Sequence, residues 1–274
     1  MEISEEPKTE IKVPELPEDM RLEVPEDKLS EIELSETEKR NSYHYRSGKR
    51  AIPLKALDKK AIQKLLSISK ARFGNGGNAA SAKFPTYLNP KIAYLVGALR
   101  DGTINNYGKY EVCYVQKDIR WLQILKKLIE EVFDPSSKPR LIVREGNTPK
   151  ITMSNRVIFE FFRIVFEVKP GYKIDWGTPK VIKNAPLELQ KFYVRGYFDA
   201  DGVSGINIGF CQANLESLLF IRKLLKKLGI ETRKIESRKT SKGNDFYYLY
   251  IRTKDQIKFF TLIGSSNPSK FPAR

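Results

Sequence analysis

Two Asp-Gly pairs, Asp101-Gly102 and Asp201-Gly202, each close an apolar stretch with helical spacing, about a hundred residues apart. A carboxylate at a helix end can leave the packed surface and reach a metal ion. Two such carboxylates gather divalent cations without help from histidine. The chain offers little other reactive material. His44 is the single histidine, so histidine-based nucleophilic catalysis has almost nothing to build on. Cys113 and Cys211 fall in expected strands and lack CxxC spacing, which indicates neither a zinc site nor a disulfide scaffold.

The elements that carry these aspartates recur. Before Asp201 runs Lys191-Phe192-Tyr193-Val194-Arg195-Gly196-Tyr197-Phe198-Asp199-Ala200, with small residues at Gly196 and Ala200 one turn apart. Small residues at that spacing let a second helix approach backbone to backbone. Gly202 is expected to take the left-handed turn that stops the helix. Before Asp101 runs Pro90-Lys91-Ile92-Ala93-Tyr94-Leu95-Val96-Gly97-Ala98-Leu99-Arg100, again apolar with a late glycine. A strand and a second amphipathic helix follow each copy. Ile119, Leu122, Ile124, Leu125, Leu128 and Ile129 match Leu215, Leu218, Phe220, Ile221, Leu224 and Leu225 at one common offset. The chain is an internal duplication.

Charge points to the partner. The 49 Lys and Arg against 33 Asp and Glu give +16 over 274 residues. Residues 1–38 hold 14 acidic and 4 basic residues, net −10, which leaves 45 basic and 19 acidic, net +26, on residues 39–274. A body that basic is suited to a polyanion, most often nucleic acid. No apolar run approaches the length of a membrane span, and the acidic start is unlike a signal peptide. A soluble, cytoplasmic protein with no membrane partner is expected.

Taken in order, residues 1–40 hold Pro7, Pro14, Pro17 and Pro25 among repeated glutamates and read as a disordered acidic arm. Residues 41–89 form a basic extension, with one helix opened by Pro53 and a glycine-rich connection from Gly74. Residues 90–180 form the first repeat, in the order helix, two strands, helix, two strands, helix. Strands are expected near 109–116, 139–145 and 149–153, with helices over 118–132 and 155–167. In the second of these strands Arg140 and Arg144 share a face with Ile142, while Leu141 and Val143 face the other way. Residues 181–274 repeat the order. Strands over 231–239 and 246–252 flank the turn Ser241-Lys242-Gly243-Asn244-Asp245, and a last helix starts near Lys254. Basic and polar residues on these strands and tips, Arg233, Ser237, Lys239, Lys242 and Arg252, join Arg140 and Arg144 as candidate DNA contacts. Antiparallel strands with helices on one face leave the other face open.

Phe198-Asp199-Ala200-Asp201-Gly202, the Gln-led helix after the next strand and the duplicated order resemble the LAGLIDADG homing endonucleases over about 90–274. The second motif is specific; the first is degenerate. The resemblance implies an α+β fold of two tandem αββαββα repeats related by a pseudo-twofold axis. Motif helices pack at the centre and the sheets form a saddle on double-stranded DNA. It implies divalent metal, Mg²⁺ or Mn²⁺, bound at Asp101, Asp201, Gly102 and Gly202, and catalytic roles for Asp101, Asp201, Gln116, Lys117 and Gln212. The expected activity of a monomer is hydrolysis of both DNA strands at a long site, as in intron homing. The lysine role would be one-sided, because Ala213 stands where the first repeat has Lys117.

The motif copies also differ in spacing. Three residues lie between Gly97 and Asp101, and four between Gly196 and Asp201. At about 100° per residue, one missing residue rotates Asp101 against the packing face. Either Val96 replaces glycine at the helix crossing or Asp101 ends its helix one residue early, with an adjustment near Gly102 to recover the carboxylate. Arg100 beside the site opposes a metal unless it points to phosphate. These departures support an alternative, a catalytically impaired DNA-binding protein or a maturase that binds intron RNA.

Overall fold

The computed structural model describes Met20–Arg21, Ala71–Arg72 and residues 81–85, 87–105, 110–171, 176–241 and 243–271. The expected helix after Pro53, His44 and Lys242 lie outside these residues. Four short strands precede the first motif helix: β1 (Met20–Arg21), β2 (Ala71–Arg72), β3 (Ser81–Ala82) and β4 (Tyr87–Leu88). β1 pairs antiparallel with β4, and β2 with β3. The acidic arm is therefore not without structure throughout. Residues 20–21 of the arm join a two-stranded ladder, which needs only backbone donors and acceptors and so leaves no mark in side-chain pattern.

The first repeat follows as α1 (Pro90–Ala98), a 3₁₀ turn (Leu99–Asp101), β5 (Gly102–Asn105), β6 (Glu111–Val115), α2 (Ile119–Phe133), β7 (Arg140–Ile142), β8 (Lys150–Ser154) and α3 (Arg156–Glu160). A π turn over Phe161–Val165 extends α3, so the expected helix 155–167 is α-helical only in its first part. After a short α4 (Lys180–Asn184), the second repeat runs α5 (Leu187–Asp201), β9 (Gly202–Val203), β10 (Gly209–Gln212), α6 (Leu215–Lys227), β11 (Glu236–Lys239), β12 (Asp245–Tyr250) and α7 (Gln256–Leu262). The duplicated αββαββα order is present. The expected strand over 231–239 is shorter, because before Glu236 only an isolated bridge joins Thr232 to Ile251.

Each repeat carries a four-stranded antiparallel sheet, ordered β5-β6-β8-β7 and β9-β10-β12-β11. Alternation along the strands assigns their faces. Val112, Tyr114, Ile151 and Met153 point into the core with Leu141, and so do Phe210, Leu249 and Ile251 in the second sheet. Helices α1, α2 and α6 start on side-chain caps: Asn89 accepts from Ile92 N, Asp118 from Arg120 N and Trp121 N, and Asn214 from Ser217 N. Each cap satisfies amide donors that the first turn leaves without partners.

α1 and α5 form the seam between the repeats. α1 is buried from Ile92 to Ala98 all the way round, as a helix packed from several sides must be. Two glycines set the approach. A Cβ on Gly97 would sit 2.0 Å from Tyr193 O and 2.8 Å from Tyr197 N; one on Gly196 would sit 2.1 Å from Tyr94 O and 2.9 Å from Ala98 N. The contact is reciprocal, so Gly97, not Val96, is the crossing residue of the first motif.

Candidate active site

With Gly97 placed at the crossing, Asp101 comes one residue sooner after it than Asp201 does after Gly196. The 3₁₀ turn at Leu99–Asp101 absorbs the difference. Three 3₁₀ residues climb about 6 Å, at about 2.0 Å each, as four α residues do at about 1.5 Å each. They also turn through about 360°, against about 400° for four α residues and about 300° for three. The overwound turn thus recovers the height of Asp101 and most of its azimuth. α5 stays α-helical to Asp201.

The glycines after the aspartates do not take left-handed turns. Gly102 lies at φ −150° and Gly202 at φ −72°, both extended. They are needed for space: a Cβ would stand 2.4 Å from Cys113 O at Gly102 and 2.4 Å from Phe198 O at Gly202.

A glutamine serves each carboxylate. Gln116, just past β6, donates Nε2 to Asp101 Oδ2 at 3.3 Å and to Ala200 O at 2.9 Å. Gln212, at the end of β10, donates Nε2 to Asp201 Oδ2 at 3.4 Å. Each glutamine accepts the next residue's backbone N–H at its own Oε1, from Lys117 N at 2.8 Å and from Ala213 N at 2.9 Å. That local bond turns the amide so that its NH₂ faces the carboxylate. The two halves match although only the first has a lysine after its glutamine.

Lys117 is exposed, and the cations that act on the two carboxylates are Lys270 and Arg100. Lys270 ends a 3₁₀ turn (Pro268–Lys270) beyond α7, and its Nζ donates to Gly202 O. Nothing in the duplication signals it, because it lies past the last repeated element. Burial lowers the pKa of its ammonium, while Asp201, Asp101 and Asp199 raise it. Arg100 does not point to a phosphate position. It is wholly buried, donating to Trp176 O at 2.8 Å, Gly177 O at 3.0 Å, Tyr193 Oη at 2.8 Å and Ser217 Oγ at 3.1 Å. Its guanidinium lies 3.7 Å from the centre of the Trp176 ring.

Burial pushes the Asp101 carboxyl up to about 6 against the pull of Lys270. Asp201 rises to about 7, through burial and then the charge of Asp101, with Lys270 and Arg100 opposing. Mutual repulsion between partly buried carboxylates is what a bound cation relieves. Among the described residues no three His, Cys, Asp or Glu side chains gather into a metal cage. Two carboxylates and a carbonyl still suit a hard divalent ion that fills its shell with water and ligand oxygens. The Lys270 ammonium on the Gly202 carbonyl is a cation of the chain's own at that place.

The candidate DNA contacts divide by strand parity. Arg140 pairs with Thr152 and shares the open face with Ile142, while Leu141 faces the core; Arg144 is exposed just past β7. In β11 the open face carries Glu236 and Arg238, opposite Tyr248 and Phe246. Ser237 and Lys239 take the parity of Tyr247, which packs against the core, and Lys239 pairs with Asp245 at 2.8 Å. These two therefore do not stand on the open face. Arg233 is exposed beside Asn207, and Arg252 lies 3.6 Å from Glu231. Sequence reasoning missed Arg238, whose guanidinium binds Glu236 at 2.9 Å and lies 4.7 Å from the Tyr248 ring. Phe246, Tyr248 and Tyr250 alternate with Tyr247, Leu249 and Ile251, so both faces read as apolar and parity gives no signal.

Comparison with known proteins agrees with this arrangement. Residues 188–264, all in the second repeat, match the family model of a LAGLIDADG-like domain. Homing endonuclease I-ApeI of Aeropyrum pernix is 30% identical over 151 residues, spanning 51% of this chain and 67% of that protein. The crystal structure of I-DmoI in complex with DNA and Ca shares the fold, with a TM-score of 0.50 at 19% identity over 65% of this chain and 93% of that one. I-DmoI in complex with DNA and Mn gives 0.49 at 20% identity, over 65% and 97%.

Proposed function

The chain belongs to the LAGLIDADG homing endonuclease family, and from that membership we propose that it is a site-specific endonuclease cutting both strands of double-stranded DNA. One observation carries this reading above the rest. Two helix ends of unequal spacing present Asp101 and Asp201 alike, each under a glutamine amide. The shortened first motif was the ground for an impaired DNA-binding protein or an RNA-binding maturase. The 3₁₀ turn compensates for the missing residue and so favours the enzyme.

The metal is a divalent ion, in this reading Mg²⁺ or Mn²⁺, which Asp101 and Asp201 would hold beside the backbone of Gly102 and Gly202, the Gly202 carbonyl already accepting from Lys270. When bound, it supplies charge neutralisation at the phosphate and a more acidic water. Gln116 and Gln212 hold the carboxylates in orientation from behind. The Lys270 ammonium offsets their negative charge and can donate to charge developing on the phosphate oxygens. Open sheet faces with Arg140 and Arg238 meet the duplex, where arginine reads base edges or phosphate. Residues 90–180 and 181–274 act as the two halves of a monomer, one to each half of the target.

The test is cleavage of a plasmid carrying the intronless junction, deduced from the DNA flanking the coding sequence. Linear product with Mg²⁺ is expected. Tight, specific binding with no cleavage under any divalent metal would overturn the enzyme reading.

A further inference from the structure

We propose that Asp199 is a positioning residue that clamps residues 265–270 onto the α1–α5 seam and so sets the Lys270 ammonium beside Asp101 and Asp201. The proposal rests on the cleavage reading for its consequence, but its geometry stands apart from it.

Asp199 precedes Asp201 by two residues on α5, so its side chain leaves the helix on nearly the opposite side, about 200° round. It is wholly buried. Tyr94 Oη donates to it at 2.5 Å and Ser266 N at 2.8 Å, and Ser265 Oγ donates as well. Its backbone carbonyl accepts Asn267 Nδ2 at 2.8 Å. Tyr94 belongs to α1 and accepts Trp121 Nε1 at 2.7 Å. One carboxylate thus ties both repeats to the segment beyond α7.

That segment carries the lysine. Asn267, also wholly buried, caps the last 3₁₀ turn by accepting Ser269 N at 3.1 Å, and its carbonyl accepts Lys270 N. The turn ends with Lys270 Nζ on Gly202 O. Little apolar burial holds the segment: Phe271 after it is 53% exposed. Polar bonds converging on Asp199 decide where it lies. A wholly buried carboxylate is a costly structural tie, because its three donors and the charges of Arg195 and Lys270 must offset its desolvation.

The first motif repeats the device with the opposite charge. Arg100 stands three residues after Gly97, as Asp199 does after Gly196. Arg100 holds Trp176 and Gly177, in the segment that follows the last helix of the first repeat, and reaches Tyr193 across the seam as Asp199 reaches Tyr94. Position three after each crossing glycine is a buried ionic anchor for the chain that leaves its repeat.

The experiment compares wild type, Asp199→Asn, Ser265→Ala, Lys270→Met and the Asp199→Asn/Lys270→Met double variant. Lys270 accessibility is read by amine methylation and peptide mass spectrometry, alongside circular dichroism, DNA affinity and cleavage of the junction plasmid. Asp199→Asn is expected to keep the fold and DNA affinity while exposing Lys270 to labelling at the rate of surface lysines. It should lose cleavage about as much as Lys270→Met, tenfold or more, and the double variant should lose no more, as residues acting through one another do. Ser265→Ala, which leaves the helix untouched, should give an intermediate labelling rate even if Asp199→Asn fails to fold. Unchanged Lys270 labelling in both Asp199→Asn and Ser265→Ala, or losses that simply add, would overturn the proposal. The labelling comparison reads the clamp even on a protein that cuts no DNA, so failure of the cleavage reading is told apart from failure of the clamp.

Discussion

In the proposed enzyme the two aspartates at the seam of the repeats would carry the chemistry, and their burial weakens the metal-free fold. Asp201→Asn should abolish double-strand cutting while leaving DNA binding intact or tighter, since it removes a negative charge next to phosphate. Asp101→Asn should do the same, because the 3₁₀ turn brings that carboxylate back toward the site; plasmid assays scoring linear against nicked product check both. Nicking that depends on Asp201 alone would mean that the shortfall of about 40° left by the turn is decisive. Gln116→Ala and Gln212→Ala should each reduce metal affinity or activity about 10–100-fold, as groups orienting metal ligands do. The same carboxylates predict a pH effect. Both have folded pKa values raised above their unfolded ones, to about 6 and about 7. Their stabilising contribution is therefore complete at low pH and lost as pH rises through those values. Asp201→Asn should melt with wild type near pH 4 and increasingly above it toward pH 8, by up to a few kcal/mol at about 1.4 kcal/mol per pKa unit. Thermal melts in chelator measure it; a difference that shrinks with pH would contradict the burial of Asp201.

At the scale of elements, two glycines let α1 and α5 meet along their backbones. Gly97→Ala and Gly196→Ala would each drive a methyl into a carbonyl oxygen of the facing helix. Overpacking of this kind costs about 1–3 kcal/mol, and more where neither backbone can yield. Denaturant melts should show Gly196→Ala destabilised by at least that much, with Gly97→Ala similar because the contact is reciprocal. Helix periodicity and the duplicated order were readable along the chain, since α2, α5 and α6 bury a stripe with the helical repeat. The parity of β11 and β12 was not. Aromatic residues occupy both faces of β12, and only the register Arg238↔Phe246 tells which charges share the open side.

For the whole molecule, +26 on residues 39–274 sets the response to salt. Duplex affinity should fall by about 0.9 log unit per log salt for each phosphate contact. Titrations between about 50 and 200 mM salt should show a loss of several orders of magnitude if the basic faces track both strands. Affinity indifferent to salt over that range would contradict that footprint.

Repetition of pattern, helix amphipathicity, net charge and the two Asp-Gly endings are one-dimensional properties, and they sufficed for the family and the αββαββα order and to single out Asp101, Asp201, Gln116 and Gln212 as candidates. Tertiary structure decided what depends on three-dimensional closeness between residues far apart in the chain. The crossing glycine is Gly97 because Tyr193 faces it, and the short motif reaches the site because its end overwinds to 3₁₀. Arg100 turns away to hold Trp176, and Lys270, beyond the last repeated element, brings its ammonium onto the Gly202 carbonyl, while Lys117 is exposed. None of these follows from spacing along the chain, because each depends on where a neighbour distant in sequence places its backbone oxygen or its charge.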